Sequence, residues 1–125
     1  MPKDPRHELG QAGEAFACRE LTRRGYEVVA RRHRTRFGEI DIIARHGDAT
    51  VFVEVKTRDG GRFGQGAAAV TPWKQRRIAS MALDYIARNR LFDRPCRFDV
   101  VAIDVSSDPP RIEIYTNAFE APAEL

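Results

Sequence analysis

Apolar positions along the chain alternate between the helical and the strand period. Leu9, Ala12, Phe16, Ala17 and Leu21 recur at helical spacing and predict a first helix from near His7 to Arg24, ended by Gly25. Glu14 borders that apolar face, and Glu20 lies nearer its centre, which periodicity leaves unexplained. Tyr26 to Ala30 predicts an edge or entry strand running into an Arg-rich turn. The stretch Phe37 to Arg58, FGEIDIIARHGDATVFVEVKTR, predicts two strands rich in β-branched residues, joined through Gly47-Asp48 as a type II′ hairpin. Asp59 to Gly66 carries four glycines and predicts a mobile connector; neither the Walker pattern nor GxGxxG is present. Thr71 and Pro72 form the start of a second helix, with Trp73 expected to anchor it by packing in preference to the alternative of stacking on a base, and Ile78, Ala82, Tyr85 and Ile86 as its core stripe. Arg97 to Val105 predicts a fourth strand with Asp99, Val101 and Ile103 on one face. After the Pro109-Pro110 turn, Arg111 to Tyr115 is a short fifth strand, and Asn117, Ala118 and Phe119 close the core. The order α-β-β-β-α-β-β predicts an α/β fold, a mixed sheet with helices packed on it.

Length and composition narrow this further. At 125 residues the chain makes one domain, residues 1–125, with 1–6 and 120–125 expected to fray. No apolar run is long enough to span a bilayer and the first ten residues lack a signal-peptide core, so a cytoplasmic location is expected. Cys18 and Cys96 make no metal or disulfide pattern, and His7, His33 and His46 are scattered as surface residues would be. The net charge of +3 is too small to demand a polyanion. Its distribution is more telling, because Arg31, Arg32, Arg34 and Arg36 crowd the approach to the hairpin. Arginine forks suit phosphate, although a solvated Arg-rich loop would read the same way.

The hairpin carries the candidate chemistry. If His46 faces Ala49 across the turn, Asp41 faces Glu54 and Glu39 faces Lys56. Alternation puts Glu54 and Lys56 on one face, with Val51, Val53 and Val55 on the other, and groups Glu39 and Asp41 away from Ile40 and Ile42. Like charges directly opposed destabilise a sheet, so a facing carboxylate pair in a strand as apolar as VFVEV calls for a divalent cation. Mg²⁺ or Mn²⁺ takes such oxygen ligands and keeps positions for water and phosphate. The competing reading is a solvated polar face. On the second helix, Lys74 occupies the first turn, where a cation opposes the helix dipole and bound phosphate would reverse the preference; Arg77 follows one turn on.

Asp41 followed by Glu54-Val55-Lys56 resembles the D…E-x-K signature of restriction-endonuclease-like nucleases, and the hairpin spacing resembles the archaeal Holliday-junction resolvase branch of that fold. The chain is similar over most of its length to the small bacterial YraN family. The matching pieces are Gly13-Glu14 with Ala17 and Leu21, Gly25-Tyr26, GEIDIIA, VFVEVKTR, Val70 with Lys74 and Arg77-Ile78, RFDVV, and Asn117-Ala118-Phe119. Ile40 stands where the wider nuclease signature often has proline before the aspartate. The resemblance implies a restriction-endonuclease-like mixed sheet flanked by helices. It also implies a metal-dependent nuclease cutting DNA, branched or structured DNA included. Asp41, Glu54, the Val55 carbonyl and Glu14 would hold Mg²⁺ or Mn²⁺, and Lys56 would orient the nucleophile or neutralise developing charge. Lys74, Arg77, Arg34, Arg36 and Arg58 are the expected nucleic-acid contacts. DNA is the expected partner; no membrane partner is expected, and a homodimer stays open. Two rivals remain: a nucleic-acid-binding module on the same fold that does not cut, and a protein-interaction domain using the hairpin edge.

Overall fold

The computed structural model describes residues 5–60 and 70–121. Helix α1 (Pro5–Arg23) is followed by strands β1 (Glu27–Thr35), β2 (Gly38–His46) and β3 (Ala49–Arg58). Helix α2 (Pro72–Arg88) then leads to β4 (Cys96–Asp104) and β5 (Arg111–Phe119). The five strands form one sheet in the order β1-β2-β3-β4-β5. β3 and β4 run parallel and every other neighbouring pair is antiparallel. Parallel strands need a long crossover, and α2 supplies it.

The two helices cover opposite faces. On one face, α2 packs Ile78, Ala79, Met81 and Ala82 against Ile43, Phe52, Phe98 and Val100. On the other, α1 sets Ala17 and Leu21 against Ile42, Val51, Val53, Val101 and Ile103. β3 and β4 therefore lie buried on both sides, which explains their near-continuous apolar runs. Phe119 stacks on Phe98 at 4.9 Å and closes the α2-side core, as expected of the Asn117 to Phe119 segment.

Several expectations shift. The apolar face of α1 is narrower than the pattern suggests: Ala12 is exposed, and buried Gly13 takes the place one turn before Ala17. A Cβ at Gly13 would collide with the Thr57 hydroxyl, so glycine lets α1 settle onto β3. Glu20 is accounted for by ion pairs with Arg23 at 2.6 Å and Arg24 at 3.9 Å. Arg31 to Arg34 lie within β1, not in a turn; the turn falls at Arg36-Phe37, where Thr35 Oγ1 accepts the Phe37 N–H at 3.0 Å. β5 is longer than expected and passes through an irregularity at Asn117, whose φ is +54°. The helix start is as read, with Thr71 Oγ1 accepting the Lys74 N–H at 3.2 Å, but Trp73 is 62% exposed and anchors nothing. Both cysteines are free. Most of the glycine-rich connector, residues 61–66, lies outside the described residues.

His33 and His46 are half-buried ring contacts, not plain surface residues. His33 meets Tyr85 edge-on, and His46 stacks on Tyr26 at 4.1 Å. Beside that stack, Asp99 is fully buried and fully satisfied. Its carboxylate accepts from the Tyr26 hydroxyl (2.8 Å), from Arg97 Nε (2.9 Å) and from the Asn117 N–H (2.9 Å). This knot ties the start of β1 to β4 and β5.

Candidate metal centre

Gly47 turns the hairpin with φ +62°, and β2 and β3 pair in the expected register from His46↔Ala49 to Ile42↔Val53. The ladder stops there. Continued, it would give the Val55 N–H to a backbone carbonyl of β2; instead that N–H donates to Asp41 Oδ2 at 2.8 Å. The side chain has replaced the main chain as acceptor, and the strands part at Asp41. The alternation breaks with them: Ile42 packs on the α1 side, whereas Ile40 packs on the α2 side. The expected cross-strand pair of Asp41 with Glu54 is thus not a ladder pair. The two carboxylates meet across the opening that Asp41 creates. Glu39 does not face Lys56 either; it pairs across to β1, with Arg34 Nη2 at 3.8 Å.

The electrostatics of the opening are unusual. Burial first, and then the charge of Glu54, raise the Asp41 carboxyl from 3.8 to about 7, against the pull of the Val55 N–H bond. Glu54 in turn is gripped by cations: Lys74 Nζ, arriving from the first turn of α2, stands 2.5 Å from Glu54 Oε1, and Lys56 Nζ stands at 3.8 Å. Burial and the neighbouring Lys74 push Lys56 below its ordinary ammonium value. Burial also works against charge on Lys74, but Glu54 and Asp41 outweigh it, so Lys74 holds its proton more tightly than usual. An ammonium on one carboxylate, beside a second that resists ionising, marks a place short of positive charge.

Glu14 and Asp41 line one polar cleft of about 430 Å³ together with Gly10, Gln11, Arg32, Arg34 and Glu39. Glu14 is held there by Arg32 Nε at 3.2 Å. Arg32, noted in the sequence only as one of four arginines before the hairpin, was not among the expected site residues. Arg31 pairs with Ile42 and His33 with Ile40, so Arg32 falls beside Asp41, a position only the β1–β2 register could have shown. Among the described residues, no three His, Cys, Asp or Glu side chains converge closely enough to ligate one ion. The hard oxygens of Asp41 and Glu54 are the donor set at hand, and that set suits Mg²⁺ or Mn²⁺.

The other expected contacts spread outward. Arg36 lies over the Phe37 ring at 4.9 Å, and Arg77 donates from Nε to the Phe37 carbonyl at 2.5 Å. Arg58 pairs with Asp104 at the far end of β3, four residues past Glu54, or about 13 Å along the strand. It is not brought to the carboxylates.

Fold and site together define a three-layer α/β domain with a mixed five-stranded sheet and an acidic centre where β2 and β3 separate. The profile of the uncharacterised protein family UPF0102 matches residues 13–103, and the chain belongs to that family, also known as YraN. A UPF0102 protein of Geobacter metallireducens is 48% identical over 112 residues, covering 90% of this chain and 92% of its own. One of Symbiobacterium thermophilum is 49% identical over 114 residues, covering 90% and 97%. One of Rhodococcus opacus is 47% identical over 112 residues, covering 89% and 95%. The profile's span takes in Glu14, Asp41, Glu54, Lys56 and Lys74.

Proposed function

We propose that this protein is a metal-dependent nuclease that hydrolyses phosphodiester bonds in DNA, including branched or structured DNA. The observation that carries the reading is the meeting of Asp41 and Glu54 where the β2–β3 ladder opens, with a lysine ammonium already seated on Glu54. Asp41 and Glu54 would hold Mg²⁺ or Mn²⁺, with the Val55 carbonyl as a further donor from the same strand. When bound, the ion supplies a Lewis acid and lowers the pKa of its water. With Glu54 given over to the ion, the Lys74 ammonium would be left next to the opening, within reach of a phosphate oxygen. Lys56, 3.8 Å from Glu54, would orient the attacking water or neutralise the developing charge. Glu14 is reached through the shared cleft once Arg32 turns to phosphate.

The Arg32 grip on Glu14 favours a second reading, a module that binds nucleic acid without cutting it. The test is cleavage of supercoiled plasmid and of branched DNA with Mg²⁺ or Mn²⁺. The nuclease reading expects cutting by the wild type, none by Asp41→Asn or Glu54→Gln, and binding retained in both. Full activity in either variant would remove Asp41 and Glu54 as the catalytic centre; binding without cutting in the wild type would hand the case to the binding module.

A further inference from the structure

Beside the acidic centre lies a surface that exposes two large aromatic rings. Phe37, in the β1–β2 turn, and Trp73, in the first turn of α2, are 39% and 62% exposed. Large aromatic rings left in water forfeit burial that a purely structural role would claim. These two line a shallow recess of about 320 Å³ with Arg76, Arg77 and Ser80, and among the described residues no carboxylate lines it. Each ring carries a guanidinium: Arg77 lies over Trp73 at 5.4 Å and Arg36 over Phe37 at 4.9 Å. Arg77 also ties the two elements together through the Phe37 carbonyl, and Gly38, with φ +131°, leaves it the room, since a Cβ there would strike the guanidinium. The recess is therefore fixed in shape.

Its position is equally specific. Lys74, the next residue after Trp73, reaches Glu54, and Gly38, the next after Phe37, opens the strand that carries Asp41. A ligand in the recess would thus lead directly into the acidic centre. Exposed π-faces flanked by arginines fit a chain that offers flat rings and anionic links in alternation. Bases within a duplex are stacked on each other and have no free face, whereas unpaired bases do.

We propose that the Phe37–Trp73 recess is a stacking platform for unpaired bases of single-stranded DNA. It delivers the strand to the Asp41–Glu54 centre, so the substrate class is DNA with a single-stranded or splayed segment. The inference rests on the nuclease reading for its consequence, but the binding itself needs no metal and no cutting.

Trp73 is the sole tryptophan, so the chain carries its own reporter. With chelator present, the intrinsic fluorescence is followed as a short oligothymidylate or a duplex of equal length is added, while anisotropy of an end-labelled strand measures binding separately. The single strand should quench Trp73 strongly and the duplex little. Phe37→Ala, an exposed substitution whose folding is checked by circular dichroism, should weaken single-strand binding about tenfold and leave duplex binding unchanged. The proposal is overturned if the strand binds without quenching, if it does not bind, or if Phe37→Ala weakens single strand and duplex alike. Metal-dependent cleavage without quenching would remove the platform and keep the nuclease; quenching without cleavage of any DNA would do the reverse.

Discussion

Replacing Asp41 with Asn should stabilise the metal-free protein, and by an amount that depends on pH in a defined way. Asparagine keeps the shape and can still accept the Val55 N–H, but it removes the charge that burial and Glu54 oppose. The wild-type carboxyl moves from 3.8 to about 7 on folding. An acid with a raised folded pKa holds its proton more tightly folded than unfolded. Between roughly pH 4 and pH 7 the unfolded chain therefore binds fewer protons, and wild-type stability falls as pH rises. Linkage gives a slope of up to about 1.4 kcal/mol per pH unit and a full span of about 4 kcal/mol. At the effective dielectric of real protein interiors, on the order of 1–3 kcal/mol should be measured. The variant lacks this titration, and groups remote from the opening cancel in the difference between the two proteins. Urea unfolding of both in chelator, from pH 4.5 to pH 8, reads it directly. Asp41→Asn should gain on the wild type up to about pH 7 and hold a constant lead above it. A difference that is flat with pH, or a variant less stable at pH 8, would refute the carboxylate crowding on which the site rests.

Other consequences can be checked with the same tools. Lys74→Ala should cost the metal-free protein about 1 kcal/mol by leaving Glu54 to Lys56 alone, and millimolar Mg²⁺ should erase most of that loss in thermal melts. The same variant should lower the slope of log DNA affinity against log salt by about one, at every sequence tested. Gly13→Ala should destabilise by about 1–3 kcal/mol through collision with Thr57, and Thr57→Ala in the same chain should recover part of it, as a double-mutant cycle in urea would show. Asp99→Asn should cost about 3–5 kcal/mol, because Arg97 would be left half-buried with its charge uncompensated; calorimetry would register the loss.

What the sequence disclosed follows from how local each determinant is. The hairpin was legible because Gly47 sets the turn and the alternation of Val51 and Val53 with Phe52 sets the faces. The buried β4 was legible from RFDVVAIDV for the same reason. The break at Asp41 was not, since it depends on a side-chain oxygen outcompeting a main-chain carbonyl for the Val55 N–H, a contest that strand periodicity does not encode. β1 continued through three arginines because its ladder with β2 holds it, whatever its polarity suggests. Lys74 was recognised as a misplaced cation in a helix first turn. Its partner, Glu54, emerged only when the crossover laid that turn beside β3. Trp73 was expected to pack because most tryptophans do, and nothing local distinguishes one that faces water.

The claim that the Asp41–Glu54 opening is a divalent metal centre is tested most directly by titrating the protein with Mn²⁺ at pH 8, with free ion read by its paramagnetic resonance. The account predicts saturable binding of Mn²⁺ by the wild type, strong weakening in both Asp41→Asn and Glu54→Gln, and competition by Mg²⁺. A wild type that binds no Mn²⁺, or variants that bind it as well as the wild type, would contradict it.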